Sequence, residues 1–203
     1  MTRRREVEEQ LRSLTEINEI MGSMKNLSIM ETRKLARVLP AQQQVVATFE
    51  RAAADFLAYH QQLARWPAPE LTLFVVIGSE RGFCGDFNEK LIERLEQDTP
   101  GTAPGAVRWL PVGRKLCLSL EREARVADLL DGPGVVEEVP DALSRLVDAI
   151  NAVRQTADTV ELRVLHHSDE HGDVAQTPVL PPFRGAAAPA RGGMQPVVSG
   201  QQA

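Results

Sequence analysis

Apolar residues return every three or four positions along the first forty: Val7, Leu11, Leu14, Ile17, Met21, Met24, Leu27 (or Ser28), Met30, Leu35 and Val38. That spacing draws a narrow stripe down one side of a helix, the pattern of a coiled-coil seam. No proline interrupts it before Pro40, so residues 2–39 are predicted to form one helix, roughly 55 Å long at 1.5 Å per residue. A rod of that length cannot be enclosed by a small domain. It is predicted to project, and a projecting apolar seam needs a partner. Pro40 either kinks one continuous rod or opens a second helix at its first turn. Residues 41–65 favour helix through their Ala, Gln and Leu content, with Val45, Phe49, Ala52, Phe56 and Leu63 as the expected inner face. The WPAP run at 66–69 closes this region, giving a first unit of residues 1–66.

The period then changes. Leu71–Ile77 is an apolar run suited to a strand covered on both faces. A glycine-bearing turn follows, then a helix over 87–97. There Phe87, Leu91, Ile92 and Leu95 share a face, and Asp86 with Glu89 has the spacing of a capping-box variant. Val107–Val112 reads as a strand, 114–123 as a helix, and 141–157 as a helix with Leu143, Leu146, Val147, Ile150 and Val153 on one side. Thr159–His166 alternates like a strand, with Val160, Leu162 and Val164 pointing one way. His171-Gly172-Asp173 is a turn, and Val174–Leu180 a returning strand. Strands alternating with helices imply an α/β unit over 70–180, Rossmann-like, with a mainly parallel sheet. Residues 181–203 carry four prolines and four glycines without periodicity and read as a disordered tail.

Composition narrows the function classes. The net charge of −5 argues against general nucleic-acid binding, which needs a Lys/Arg excess. Residues 1–39 hold 8 basic and 6 acidic side chains, a solvated mixed face rather than a membrane-binding basic stripe. No apolar run follows the charged N-terminus, so no signal peptide is read, and no window approaches a membrane span. Cys84 and Cys117 form no CxxC pair, and no disulfide framework is expected.

Three chemistries have candidate residues in the sequence. The turn Gly78-Ser79-Glu80-Arg81-Gly82-Phe83-Cys84-Gly85 lies between strand and helix, where α/β proteins often bind phosphate. Its glycine spacing matches neither the dinucleotide fingerprint nor the P-loop, and Glu80 and Asp86 would repel phosphate. The structural reading is that Gly82 and Gly85 permit a tight, close-packed turn. Cys84 near a helix start could act as a thiolate nucleophile with His166 or His167 as base, although a small buried cysteine is the commoner case. His166, His167 and His171 suggest metal, but adjacent strand residues point to opposite faces, and a polar hairpin end is the preferred account. No catalytic residue, cofactor or metal ligand is assigned. Methionines along an exposed seam suit an adaptable contact surface, and Arg33, Lys34 and Arg37 form a short basic patch.

Four segments resemble one family. IMGSMKNLSIMETRKLARVLP (20–40) resembles the N-terminal helix of the gamma subunit of rotary ATP synthases, with its ITKAM…K-x-R-K run. IGSERGFCGDFNEKL (77–91) is similar to that family's strand-plus-SDRGLCGGLN motif, with Glu80, Phe83, Asp86 and Phe87 as departures. VGRK (112–115) resembles its IGRK element, and VLPPF (179–183) the segment closing its α/β domain. The resemblance implies a central rotor shaft without bond chemistry, standing inside a ring of alpha and beta subunits. It implies a foot resting against the epsilon subunit and the membrane c-ring, peripheral to the cytoplasmic face of the membrane. By position it makes Met21, Met24, Lys25, Arg33 and Lys34 partner contacts on the helix, and Gly82, Cys84 and Gly85 contacts on the foot.

The family ends in a second long helix that pairs with the first, and no such helix is written in residues 181–203. The reading therefore expects a truncated or divergent member. Its competitor is a gamma-like interaction, assembly or inhibitory protein that binds through the seam without transmitting torque.

Overall fold

The computed structural model describes residues 2–60, 66–99, 101, 105–168 and 172–183. The first element is a single helix, α1, Thr2–Tyr59, of 58 residues, about 87 Å long. It is helical on both sides of Pro40. The proline removes one backbone donor and crowds the preceding turn. All of residues 35–52 are exposed, so water reaches the carbonyl left without its donor. The helix after Pro40 does not bury the face the sequence suggested. Val45, Phe49 and Phe56 are exposed, and Leu57 is the buried residue, flanked by half-buried Ala53 and Ala54. Leu63 lies outside the described residues.

The base is a four-stranded sheet in the order β2-β1-β3-β4. The strands are β1 (Leu71–Ile77), β2 (Val107–Val112), β3 (Val160–His167) and β4 (Val174–Leu180). β1 pairs parallel with β2 and β3, and β4 returns antiparallel to β3. The helices are α2 (Phe87–Asp98), α3 (Arg114–Leu120) and α4 (Val139–Arg154), the last preceded by a 3-10 turn at Val136–Glu138. The mainly parallel α/β expectation holds.

Alternation along β1 builds two cores. Phe74 and Val76 join Leu91 and Leu95 of α2, Trp109 of β2, and Leu116 and Leu120 of α3. Leu71, Leu73 and Val75 face the other way, onto Val153, Leu146 and Ile150 of α4. The crossovers β1-α2-β2 and β2-α4-β3 thus place α2 and α4 on opposite faces of the sheet. Their divergence point is the C-terminal end of β1. Two sequence expectations fail here. Leu143 and Val147 are exposed, because α4 turns Leu146, Ala149, Ile150 and Val153 to the sheet. Asp86 makes no side-chain cap on α2 and pairs with Lys90 at 3.0 Å instead. The ammonium one turn away holds its carboxyl below the ordinary value. The tail expected over 181–203 lies outside the described residues beyond Phe183.

Candidate partner interface

Two sequence motifs meet at the C-terminal ends of β1 and β2. Gly113 of VGRK adopts φ +115, and a Cβ there would stand 2.8 Å from the carbonyl oxygens of Gly78 and Ser79. Gly78 faces Leu116, whose side chain would lie 2.5 Å from an added Cβ. These two glycines supply the close packing. Gly85 carries a left-handed φ of +60 as its turn requires, but an added Cβ would meet nothing within 4 Å at either Gly82 or Gly85, which corrects the close packing expected of both.

Hydrogen bonds fix the turn from within. The Ser79 N–H donates to Asn88 Oδ1 (3.0 Å), the Asn88 amide to Ser79 Oγ (2.8 Å), and the Cys84 thiol to Ser79 Oγ (3.2 Å). Glu80 accepts from the backbone N–H of Arg114 (2.9 Å) and of Gly132 (2.8 Å). Arg114 in turn grips Asp131 through two nitrogens, at 3.2 and 2.9 Å. That pairing raises the guanidinium pKa and lowers the Asp131 carboxyl. The Gly78 N–H is taken by Val112 O and the Phe87 N–H by Cys84 O. The Gly78, Ser79 and Phe87 amides are therefore bonded inward, and the Glu80 carboxylate occupies the turn, where it would repel a phosphate.

The thiol and metal readings gain no geometry. His167 stacks on Phe87 at 3.9 Å and its Nε2 meets Phe87 O at 2.8 Å; His166 Nε2 meets Thr177 Oγ1 at 3.0 Å. Neither is placed against Cys84. His171 lies outside the described residues, and among those described no group of His, Cys, Asp or Glu is disposed to hold a metal ion. Both cysteines are free, and burial raises the pKa of Cys117.

The rod crosses this end of the base. A cleft of about 480 Å³ opens between them. Met21, Met24, Lys25 and Leu27 line one wall, and Gly82, Phe83 and Cys84 part of the other. Five of the eight expected contact residues are thus gathered around one cleft. Gly85 sits at the end of the same turn. Arg33 is exposed on the rod. Lys34 is engaged within the chain, donating to Glu31 and to Glu137 at 2.8 Å each. The hydrogen bond to Glu137, then that to Glu31, raises the Lys34 pKa.

Two residues escaped the sequence reading. Phe83 is 79% exposed at φ 61, a conformation a bulky side chain rarely takes. Its position between Gly82 and Cys84 gave no signal of this. Glu31 accepts from Lys34 and from the Val136 N–H (2.7 Å), a contact 105 residues distant that no local pattern announces. The hydrogen bond from Lys34, then that from Val136, holds its carboxyl below the ordinary value.

Beyond this junction the seam is bare. Val7, Leu11, Leu14, Ile17, Leu35 and Val38 are all exposed, as are Met21 at the cleft and Met30 within the stretch that meets the base. The ATP synthase family model matches residues 3–187. The chain belongs to the ATP synthase gamma family. No curated protein matches it. Among solved structures this gamma-family chain is similar to one in the central stalk/c-ring structure of Tetrahymena thermophila mitochondrial ATP synthase. The identity is 18% and the TM-score 0.64, over 80% of this chain and 72% of that one. It is also similar to a chain in the rotor of Euglena gracilis mitochondrial ATP synthase, at 16% identity and a TM-score of 0.43, over 79% of this chain and 60% of that one. The first likeness supports the fold of the gamma-family chain: rod, base and their order. Among the described residues no helix is long and apolar enough to cross a membrane.

Proposed function

We propose that this gamma-family chain is a central-stalk subunit, the rotor shaft of a rotary ATP synthase. It would work by contact rather than by bond chemistry. The observation that carries the reading is the uncovered seam: an 87 Å-class rod with its apolar stripe exposed over most of its length. In this reading the seam stands among the alpha and beta catalytic subunits, and the base rests against the epsilon subunit and the c-ring. The chain is peripheral to the membrane, at its cytoplasmic face, and needs no cofactor of its own.

The mechanism is differential contact. The sequence makes the rod asymmetric around its axis, with aliphatic and methionine residues on one side and mixed charge on the others. Each surrounding site then meets a different surface at each angle. A conformation is favoured only by the difference in contact free energy it offers. Turning the rod moves that bias from site to site. Met21, Lys25 and Arg33 are the outward contacts of this reading, and Gly82, Cys84 and Gly85 with exposed Phe83 those of the foot.

The test is co-assembly. The purified chain, mixed with alpha and beta subunits, is expected to co-elute with them and to support ATP hydrolysis. Failure to co-elute would remove the stalk assignment. Co-elution with suppressed hydrolysis would favour the competing inhibitory or assembly role.

A further inference from the structure

Between Arg4 and Ala52 four residues alone are half-buried: Met24, Leu27, Glu31 and Lys34. Their 3-4-3 spacing is one strip of a helix face, and this strip is where the rod meets the base. Its first half, Met24 and Leu27, borders the open cleft. Its second half is polar and closed. Glu31, with a side chain only 14% exposed, receives the Val136 N–H at 2.7 Å and the Lys34 ammonium at 2.8 Å. Lys34 passes on to Glu137 at 2.8 Å.

The Val136 contact has a specific physical reason. Val136 begins the 3-10 turn that leads into α4, and its cap position is Val135, with no side-chain hydrogen bond. An apolar residue cannot satisfy the free N–H groups at a helical start. Glu31 supplies the missing acceptor from another element, and its negative charge suits that end of the helix. The bonds are charge-assisted and directional. They arrive from two residues on one face of the rod, so they resist rolling of the rod on the base as well as separation.

We propose that Glu31, Lys34 and Glu137, closed by the Val136 N–H, form a torsional clamp that sets the rotational register of the rod on its base. In the rotor this clamp lies in the torque path; that part rests on the stalk reading, whereas the orientation is a property of the chain alone. Glu31 and Lys34 are positioning residues, acting through the geometry they hold.

The orientation is measured on the full chain. Spin labels at Ser13→Cys on the rod and Arg122→Cys on the base, in a Cys84→Ser background, report the spread of rod-to-base distances. The native clamp gives a narrow distribution. Glu31→Gln with Lys34→Met is expected to broaden it at least twofold, with the thermal transition of the base kept. The single variants should combine non-additively, since both act on one contact. Charge-retaining Lys34→Arg should restore a narrow spread, which a general loosening would not. An unchanged spread in the folded double variant overturns the clamp. A broadened spread with undiminished ions pumped per ATP in the reconstituted complex overturns its place in the torque path. The stalk assignment is then still judged by co-assembly.

Discussion

Replacing Leu11 and Leu14 together by Gln separates the seam's role in association from any role in folding. Both side chains lie on the exposed stripe, 59% and 63% accessible. Full burial of a leucine side chain is worth about 1.5–3 kcal/mol, so roughly three-fifths of that, about 1–2 kcal/mol each, is realised only when a partner covers it. The pair should therefore cost about 2–4 kcal/mol of association, a loss of about 30- to 700-fold in affinity. The free chain should barely notice, because Leu and Gln have similar helix propensities and neither site touches the base. Its stability should change by less than about 0.5 kcal/mol. Titration of labelled alpha–beta assemblies gives the first quantity and thermal unfolding of the free chain the second. Unimpaired assembly would refute the assignment of the seam as a partner surface. A large fall in the stability of the free chain would show that the seam is buried at home.

Four further outcomes follow from the base. Gly113→Ala should destabilise by at least about 2 kcal/mol, because its φ of +115 and the 2.8 Å approach to Gly78 O leave no room for a Cβ. Gly82→Ala, with nothing within 4 Å, should stay within about 0.5 kcal/mol; calorimetry on the two variants tests the contrast. The clamp should be bounded in pH. Glu31 and Glu137 are held below their ordinary 4.5, so their contribution is full above that value and is lost as pH falls through the lowered one. Lys34 is raised above 10.5, so its contribution is full below that value and fades as pH climbs past it. The Val136 amide proton shift should accordingly hold steady from about pH 5 to 10 and move outside that window. Finally, a thiol reagent at neutral pH should modify half-buried Cys84 well before Cys117, which is buried and raised in pKa. Equal rates would mean that Cys117 is not buried as described.

Local pattern carried the sequence reading as far as local physics reaches. The β1 run LTLFVVI and the period change after residue 69 marked the strands, because burial on both faces demands unbroken apolar residues. The long rod was written in three- and four-residue recurrences. What failed was decided by contacts distant in sequence. Nothing in the stripe distinguishes the 24-27-31-34 strip from its neighbours, so which face of the rod meets the base was illegible. Glu31 looks like one more solvated charge until the uncapped start at Val136 arrives beside it. By sequence Gly82 takes the close-packed turn and Gly113 only a place within VGRK, and the approach of Gly78 and Ser79 to Gly113 reverses that. Leu143 and Val147 satisfy helical periodicity, yet the axial rotation of α4 on the sheet leaves them in water.

The proposed rotor works by touching its surroundings while it turns. The most direct measurement fixes the alpha–beta assembly to a surface and attaches a visible probe to the base through Arg122→Cys. ATP should drive sustained one-way rotation of the probe. A firmly bound probe that stays still while ATP is hydrolysed at full rate would contradict it.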